Sequence, residues 1–379
     1  MFGHTYLEDS AYEYLKKYDT FNFEEFWNNV TKEDVLRVIN KRKHTDEDFL
    51  ILISEKAEEC LEEMAQKAHA LTMQHFGKAV MLYTPMYIAN YCINRCAYCG
   101  YNHDNIIARK QLTMEEIAEE AKAISSEGFK QILFLTGESP KDTPVSYIVE
   151  ATKTLKKYFP SIAIEIYPMD EEDYRKVVKE GVDSLSVYQE VYDEEIYNKV
   201  HLGGPKKDFR YRLETPERAI KAGVRTVNIG ALLGLNNWRI EMFKEIMHGY
   251  YLRKNFPAAD VGFSFSRIRP CVGGFDHIQE VTDKNIVQAI VAARIMFPNS
   301  VLNISTREAE GFRDRLIPLG INKISAGVST AVGGHTKDKE NTGESQFDTN
   351  DKRTTVQMKE MIKGLGYQPI FKDWESFVD

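Results

Sequence analysis

Tyr87-Ile-Ala-Asn-Tyr-Cys92-Ile-Asn-Arg-Cys96-Ala-Tyr-Cys99-Gly100-Tyr101 holds three of the five cysteines of this 379-residue chain within eight residues, spaced C-x3-C-x2-C. The residues before them, Val80 to Ala89, read as a short apolar strand, and those after them read as a loop. Thiolates are soft ligands that hold iron–sulfur clusters or zinc. A four-iron cluster normally takes four protein ligands, so three thiolates leave one iron open to a substrate or cofactor. The alternative is a closed site, since Cys92, Cys96, Cys99 and His103 supply the donor types of a Cys3His zinc tetrahedron.

Outward from this stretch the chain alternates between strand and helix. Eight short apolar runs are legible: Val80–Ala89, Gln131–Leu135, Ala163–Tyr167, Ser184–Tyr188, Thr226–Ala231, Gly262–Ser266, Val301–Ser305 and Lys323–Ala326. Amphipathic helices lie between most of them. Thr113-Met-Glu-Glu116 is a capping box that opens one, with Ile117, Ala121 and Ile124 on a single face. Thr215-Pro216 reads as a cap and first-turn proline, and Gly128, Gly181, Gly223 and Gly320 as helix stops. Eight such alternations within 79–330 predict a (β/α)8 barrel, which carries its active site at the C-terminal strand ends. Those ends are rich in polar groups: Thr136-Gly-Glu138, Glu165, Gln189-Glu190, Arg267, Arg269, Arg307-Glu308 and Ser325.

Residues 1–78 read as a helical extension, with helices at Glu24–Asn29, Thr31–Asn40 and Asp46–Gln74 and capping starts at Thr31 and Thr45. Cys60, inside the last of these, reads as a small buried apolar residue. Residues 331–379 turn polar, with a helix at Thr355–Gly364 before Trp374, and read as a covering tail or lid. The N-terminus lacks the pattern of a secretory leader, and no apolar run is long enough to span a bilayer. A net charge of −8 offers no nucleic-acid surface, and clustered cysteines fit a reducing, cytoplasmic compartment.

The cysteine pattern resembles that of the radical S-adenosylmethionine (SAM) superfamily. A longer ordered set of segments resembles the 2-iminoacetate synthase family of tyrosine lyases, which serves the thiazole branch of thiamine biosynthesis. Beyond the cysteine stretch they are Thr-Gly-Glu138, Tyr188-Gln-Glu-Val-Tyr192, Gly203-Gly-Pro-Lys-Lys-Asp-Phe-Arg-Tyr-Arg-Leu-Glu-Thr-Pro216, Ile229-Gly-Ala-Leu-Leu-Gly-Leu, Arg267-Ile-Arg-Pro-Cys-Val-Gly-Gly274, Ile304-Ser-Thr-Arg-Glu308, Gly311-Phe-Arg-Asp-Arg315 and Ile324-Ser-Ala-Gly327. The resemblance implies that Cys92, Cys96 and Cys99 bind a [4Fe–4S] cluster whose fourth iron is chelated by SAM, with Tyr98 near the adenine. It implies one-electron cleavage of SAM to methionine and a 5′-deoxyadenosyl radical. That radical takes hydrogen from the amino nitrogen of L-tyrosine, and the Cα–Cβ bond breaks to give 2-iminoacetate and p-cresol.

Within this reading Glu138 suits the SAM ammonium and Arg212 its carboxylate, while Glu165 and Gln189 suit ribose hydroxyls or other polar SAM atoms. Glu190 suits the substrate ammonium, and Arg307, assisted by Ser325, the tyrosine carboxylate. Tyr87 suits substrate contact or a proton relay. Blander readings stand beside these. Arg307 and Glu308 could form surface ion pairs, Gln189 could cap a helix and Tyr87 could be barrel packing. Cys271 reads as a loop residue, and His103 and His201 as exposed loop histidines. The family's expected partners are thiazole synthase and a flavodoxin- or ferredoxin-type donor. The rivals are the tyrosine lyase of [FeFe]-hydrogenase maturation, which uses further cysteines where this chain has none after Cys271, a tryptophan-type lyase, and a zinc-stabilised barrel without activity. Two stretches depart from the family pattern: Val328–His335 and Asn102–Ala108.

Overall fold

Pro85 divides the first apolar run, because its nitrogen has no proton to give to a neighbouring strand. The run becomes β1 (Ala79–Tyr83) and β2 (Pro85–Ala89), separated only by Thr84. The computed structural model describes residues 4–336 and 344–372, so Trp374 lies outside the described residues. The other strands are β3 (Gln131–Thr136), β4 (Ser161–Glu165), β5 (Val182–Glu190), β6 (Thr226–Leu233), β7 (Asp260–Arg267), β8 (Leu302–Ile304), β9 (Lys323–Ser325) and β10 (Gln368–Ile370). They pair in the order β10-β1-β9-β8-β7-β6-β5-β4-β3-β2, every ladder parallel. The two halves of the first run thus stand toward opposite ends of the series: β1, second after β10, pairs with β9, and β2, the last, pairs with β3. The sheet curls until one bent strand meets both ends, which is the predicted barrel.

Strand β10 was not legible in the sequence. It adds to β1 in parallel, and the Phe371 carbonyl just beyond it accepts from Lys130 N at the start of β3. Three residues with a central proline carry no alternation to read. The capping boxes at Thr31, Thr45 and Thr113 are formed. Two helix expectations fail for local reasons. The long third helix is three pieces, Asp46–Leu52, a 3-10 turn Lys56–Cys60, and Leu61–Phe76. The Ser54 hydroxyl donates to the Ile51 carbonyl and accepts from Ala57 N, offering the backbone a turn in place of helix. Thr215 is the first helical residue of Thr215–Lys221, with Glu214 as its cap, and its hydroxyl donates back to the Tyr211 carbonyl.

The chain after 344 crosses the C-terminal rim before it returns. Gln346 N bonds to the Thr330 carbonyl, Asp348 N to Pro270 and Asn350 N to Thr306. A fully buried pair, Arg313 with Asp351, pins this strap, and Arg353 binds both Asp351 and Asp314. The helix Thr355–Gly364 then leads down to β10. Among the described residues no helix is long and apolar enough to cross a membrane.

Candidate active site

The cysteine loop leaves β2 and is gripped from two sides by backbone. Ile93 N donates to the Glu138 carbonyl, while Arg95 N, Ala97 N and Leu202 N form a short antiparallel ladder with the segment 200–203. The grip is close enough to require glycine. A Cβ on Gly137 would lie 2.3 Å from the Tyr91 carbonyl oxygen, and one on Gly204, at φ +86°, 2.3 Å from Asn94 Oδ1. Asn94 is the pin: its Nδ2 donates to Glu138 and its Oδ1 accepts from Lys206 N.

Cys92, Cys96 and Cys99 are free thiols, and Cys99 lies close enough to Cys92 and Cys96 to raise both, as Cys92 does Cys96. Burial pushes Cys92 up to about 11 and raises Cys96 and Cys99, with Lys206 drawing the latter two down. Three sheltered thiols with a cation beside them are stable as thiolates only with metal charge to offset the burial. Among the described residues no three His, Cys, Asp or Glu side chains converge on a point that would hold one ion. His103 is exposed, its Nδ1 3.4 Å from the Cys92 carbonyl oxygen.

Cys99 and Tyr98 open onto a cavity at the C-terminal end of the barrel, where small-molecule sites of this fold form. Glu165, Glu190, Arg307 and Ser325 line it with Tyr87 and the strand-end Arg269, as do Lys206, Gln346 and Phe347, which the sequence reading did not single out. Glu190 stands there because β5 bulges. The register with β6 runs from Ser184↔Thr226 to Tyr188↔Gly230 and then slips to Glu190↔Ala231, leaving Glu190 at φ +72°. Its carboxylate lies 2.7 Å from Lys206 Nζ and 3.8 Å from an Arg212 nitrogen. It is therefore anchored by two cations of the chain before any substrate ammonium arrives.

Glu165 lines the cavity. Burial, then the charge of Glu190, raises its carboxyl to about 7, while Ser186, Arg307 and Arg212 act in the opposite direction. Arg307 has its guanidinium carbon 3.5 Å above the Phe347 ring and makes no ion pair among the described residues, whereas Glu308 turns away to bind Arg267. The surface-pair reading of Arg307 does not hold. Ser325 Oγ accepts from Thr306 N, so it braces the turn that carries Arg307. Tyr87 donates its hydroxyl proton to Gln346 Oε1 at 2.9 Å.

Glu138, Gln189 and Arg212 stand behind the cavity wall. Burial raises Glu138, which remains bound to Asn94. Arg212 Nε donates to the Tyr188 carbonyl. Gln189 caps no helix: its Nε2 reaches the Phe209 carbonyl at 3.4 Å, and its Oε1 is buried without a partner. Cys271 lies in a loop, its thiol 3.2 Å from the Tyr98 carbonyl oxygen. His201 corrects the sequence reading outright. It is fully buried, and its Nε2 lies 2.7 Å from the Tyr98 hydroxyl. Lys206 stood inside a quoted motif and was open to discovery; Gln346 and Phe347, in a polar loop far along the chain, gave no signal.

Residues 86–247 match the family model described as the Radical SAM superfamily, and 264–368 that of the Biotin and Thiamin Synthesis associated domain. The chain is 38% identical over 352 residues to the 2-iminoacetate synthase of Salmonella typhimurium, covering 93% of each chain. The same identity and coverage hold for the 2-iminoacetate synthase of Escherichia coli. The crystal structure of HydG, the FeFe-hydrogenase maturase of Carboxydothermus hydrogenoformans, is similar with a TM-score of 0.83 and 30% identity, over 96% of this chain and 83% of that one. With its loop of three cysteines at the mouth of a parallel barrel, the chain belongs to the 2-iminoacetate synthase family of the radical SAM superfamily.

Proposed function

We propose that this protein is a tyrosine lyase that breaks the Cα–Cβ bond of L-tyrosine to give 2-iminoacetate and p-cresol, consuming SAM, for the thiazole moiety of thiamine. The observation that carries the reading is one cavity lined both by a cysteine of the three-cysteine loop and by the guanidinium of Arg307, which has no ion pair among the described residues. When bound, a [4Fe–4S] cluster on Cys92, Cys96 and Cys99, with SAM, supplies the one-electron chemistry that abstracts hydrogen. The side chains around it bind, orient and exclude water. Arg307 takes the substrate carboxylate through its fork of donors, stiffened by Phe347 and by the turn that Ser325 braces. Glu165, ionising near neutrality, takes or returns a proton at the reacting end. Glu190, held by Lys206 and Arg212, supplies the anionic wall facing the substrate ammonium. Tyr98, Glu138, Gln189 and Arg212 border the SAM side, and the unpartnered Gln189 oxygen supports a polar ligand there. The Tyr87–Gln346 bond ties the strap across the mouth, so Tyr87 acts by closing the site as much as by touching substrate.

In this reading residues 79–330 carry the chemistry, 1–78 brace it, and the chain after 331 supplies the cover. Family membership further supports a cytoplasmic enzyme reduced by a flavodoxin- or ferredoxin-type protein that hands its unstable imine to thiazole synthase. The test is anaerobic reconstitution with iron and sulfide, then incubation with SAM, dithionite and L-tyrosine. Four irons, bleaching by dithionite and p-cresol are expected. Tightly bound zinc in colourless protein, or SAM cleavage that consumes tryptophan and yields no p-cresol from tyrosine, overturns it.

A further inference from the structure

A radical SAM loop needs an aromatic face before its third cysteine, and phenylalanine would provide one. This chain has Tyr98, whose ring lines the cavity while its hydroxyl points the other way, into the protein. A buried phenol hydroxyl requires a partner. Here it is His201 Nε2 at 2.7 Å.

His201 is itself held on every side. Its Nδ1 lies 2.8 Å from the Tyr197 carbonyl oxygen, which can only accept, so Nδ1 carries the ring proton and Nε2 accepts from Tyr98. Its ring stacks on Tyr197 with centroids 3.8 Å apart. Its backbone bridges Cys96 in the short ladder that grips the cysteine loop. One residue thus links the loop backbone at the second cysteine to the side chain before the third.

We propose that His201 is a positioning residue for cofactor binding: it fixes the plane of the Tyr98 ring by accepting its hydroxyl proton, and so sets the aromatic wall of the SAM subsite. The inference rests on the proposed function. Its action runs through a single hydrogen bond, which makes it testable by a thermodynamic cycle.

The experiment measures the SAM Kd of anaerobically reconstituted protein by equilibrium dialysis, with iron content and the electron paramagnetic resonance spectrum of the reduced cluster alongside. Tyr98→Phe removes the bond from one side with the ring retained. His201→Asn keeps a donor for the Tyr197 carbonyl and is too short to reach Tyr98. Each is expected to raise Kd by about five- to tenfold, the effect of one buried hydrogen bond. The double variant is expected to be no weaker than the worse single one, because both remove the same bond. His201→Gln, which restores an acceptor near the Nε2 position, is expected within about twofold of the parent Kd. Iron content stays level throughout, and the SAM-induced change in the cluster spectrum weakens in step with Kd.

Multiplying effects in the double variant overturn the proposal, as does a His201→Gln protein no better than His201→Asn. Iron loss from His201→Asn also overturns it, by giving His201 a structural role in the loop. If His201→Asn fails to fold, Tyr98→Phe decides alone: an unchanged Kd overturns the proposal. Parent protein that binds SAM but releases no p-cresol sinks the lyase reading and leaves the cycle intact, so the two failures are separable.

Discussion

Replacing Arg307 tests the substrate assignment most directly. Its guanidinium is stacked on Phe347 at 3.5 Å, makes no ion pair among the described residues, and lines the cavity. A charge-assisted hydrogen bond to a carboxylate contributes about 1.5–3 kcal/mol, and Arg307→Met removes that contribution with little change in volume. Converted to affinity, the KM for tyrosine rises about 10- to 150-fold. Arg307→Lys keeps the charge and loses the planar fork, and falls between the two. Neither change touches the cysteine loop, so the SAM Kd stays within about twofold. Tyramine, which lacks the carboxylate, gives the control: its inhibition constant is expected to be the same in parent and Arg307→Met protein. Arg307 is also one of the cations that hold the Glu165 carboxyl down near 7, so its loss moves the pH dependence of kcat upward. An unchanged KM for tyrosine, or equal weakening of tyrosine and tyramine, refutes the assignment.

Cys92→Ala, Cys96→Ala or Cys99→Ala each abolishes cluster assembly, whereas Cys60→Ala and Cys271→Ala keep four irons; iron and sulfide analysis after reconstitution checks this. Gly137→Ala drives a methyl to 2.3 Å from the Tyr91 carbonyl oxygen and lowers iron uptake by more than about half, while Gly364→Ala, with nothing within 4 Å, changes neither iron nor Tm. Burial raises Glu217 and Glu241 from 4.5 to about 7 and raises Glu245 further, so the folded protein binds more protons than the unfolded chain between those values. Stability is therefore full below about pH 4.5 and falls as pH rises through 7, by at most about 3 kcal/mol for Glu217 or Glu241. Urea midpoints between pH 5 and 8 measure it, and Glu241→Gln flattens the slope; a midpoint that rises over that interval contradicts the assignment.

The barrel was legible because its strands are apolar runs ended by polar groups, and period and punctuation survive in one dimension. The thiolate loop was legible because its three ligands are local. What stayed hidden depends on contacts across many residues. His201 and Cys96 are 105 positions apart by number, and nothing near His201 marks it as buried: Leu202 beside it is exposed, and Gly203-Gly204 reads as a turn. Gln346 and Phe347 reach the cavity through a strap whose crossing over the rim uses backbone hydrogen bonds to Thr330, Pro270 and Thr306, which leave no trace in side-chain pattern. Glu190 was picked out by type, but its conformation arises from a one-residue slip between β5 and β6, and a slip reverses the facing of a strand without altering its composition.

Charge distribution links this architecture to the substrate class. The chain as a whole is acidic, at −8, yet the cavity gathers Lys206, Arg269 and Arg307 around two carboxyls, with Arg212 behind its wall. Glu190 is shared between Lys206 and Arg212, and Glu165 is only partly ionised near neutrality. The site therefore carries a positive surplus that its own residues do not cancel. Sheltered cations without partners cost free energy, so the arrangement is stable in use only when anions arrive. In the proposed reading the three thiolates of a cluster would supply anionic charge beside Lys206, and the carboxylate of an α-amino acid would supply it at Arg307. Recognition of the amino-acid end is thus electrostatic and indifferent to the side chain. Choice among aromatic side chains falls to the apolar walls instead, Leu133, Leu135, Leu232 and Ile268 with Tyr83 and Tyr188. Changes there are expected to alter which amino acid is cleaved while leaving the hold on its carboxylate untouched, because none of these side chains carries charge.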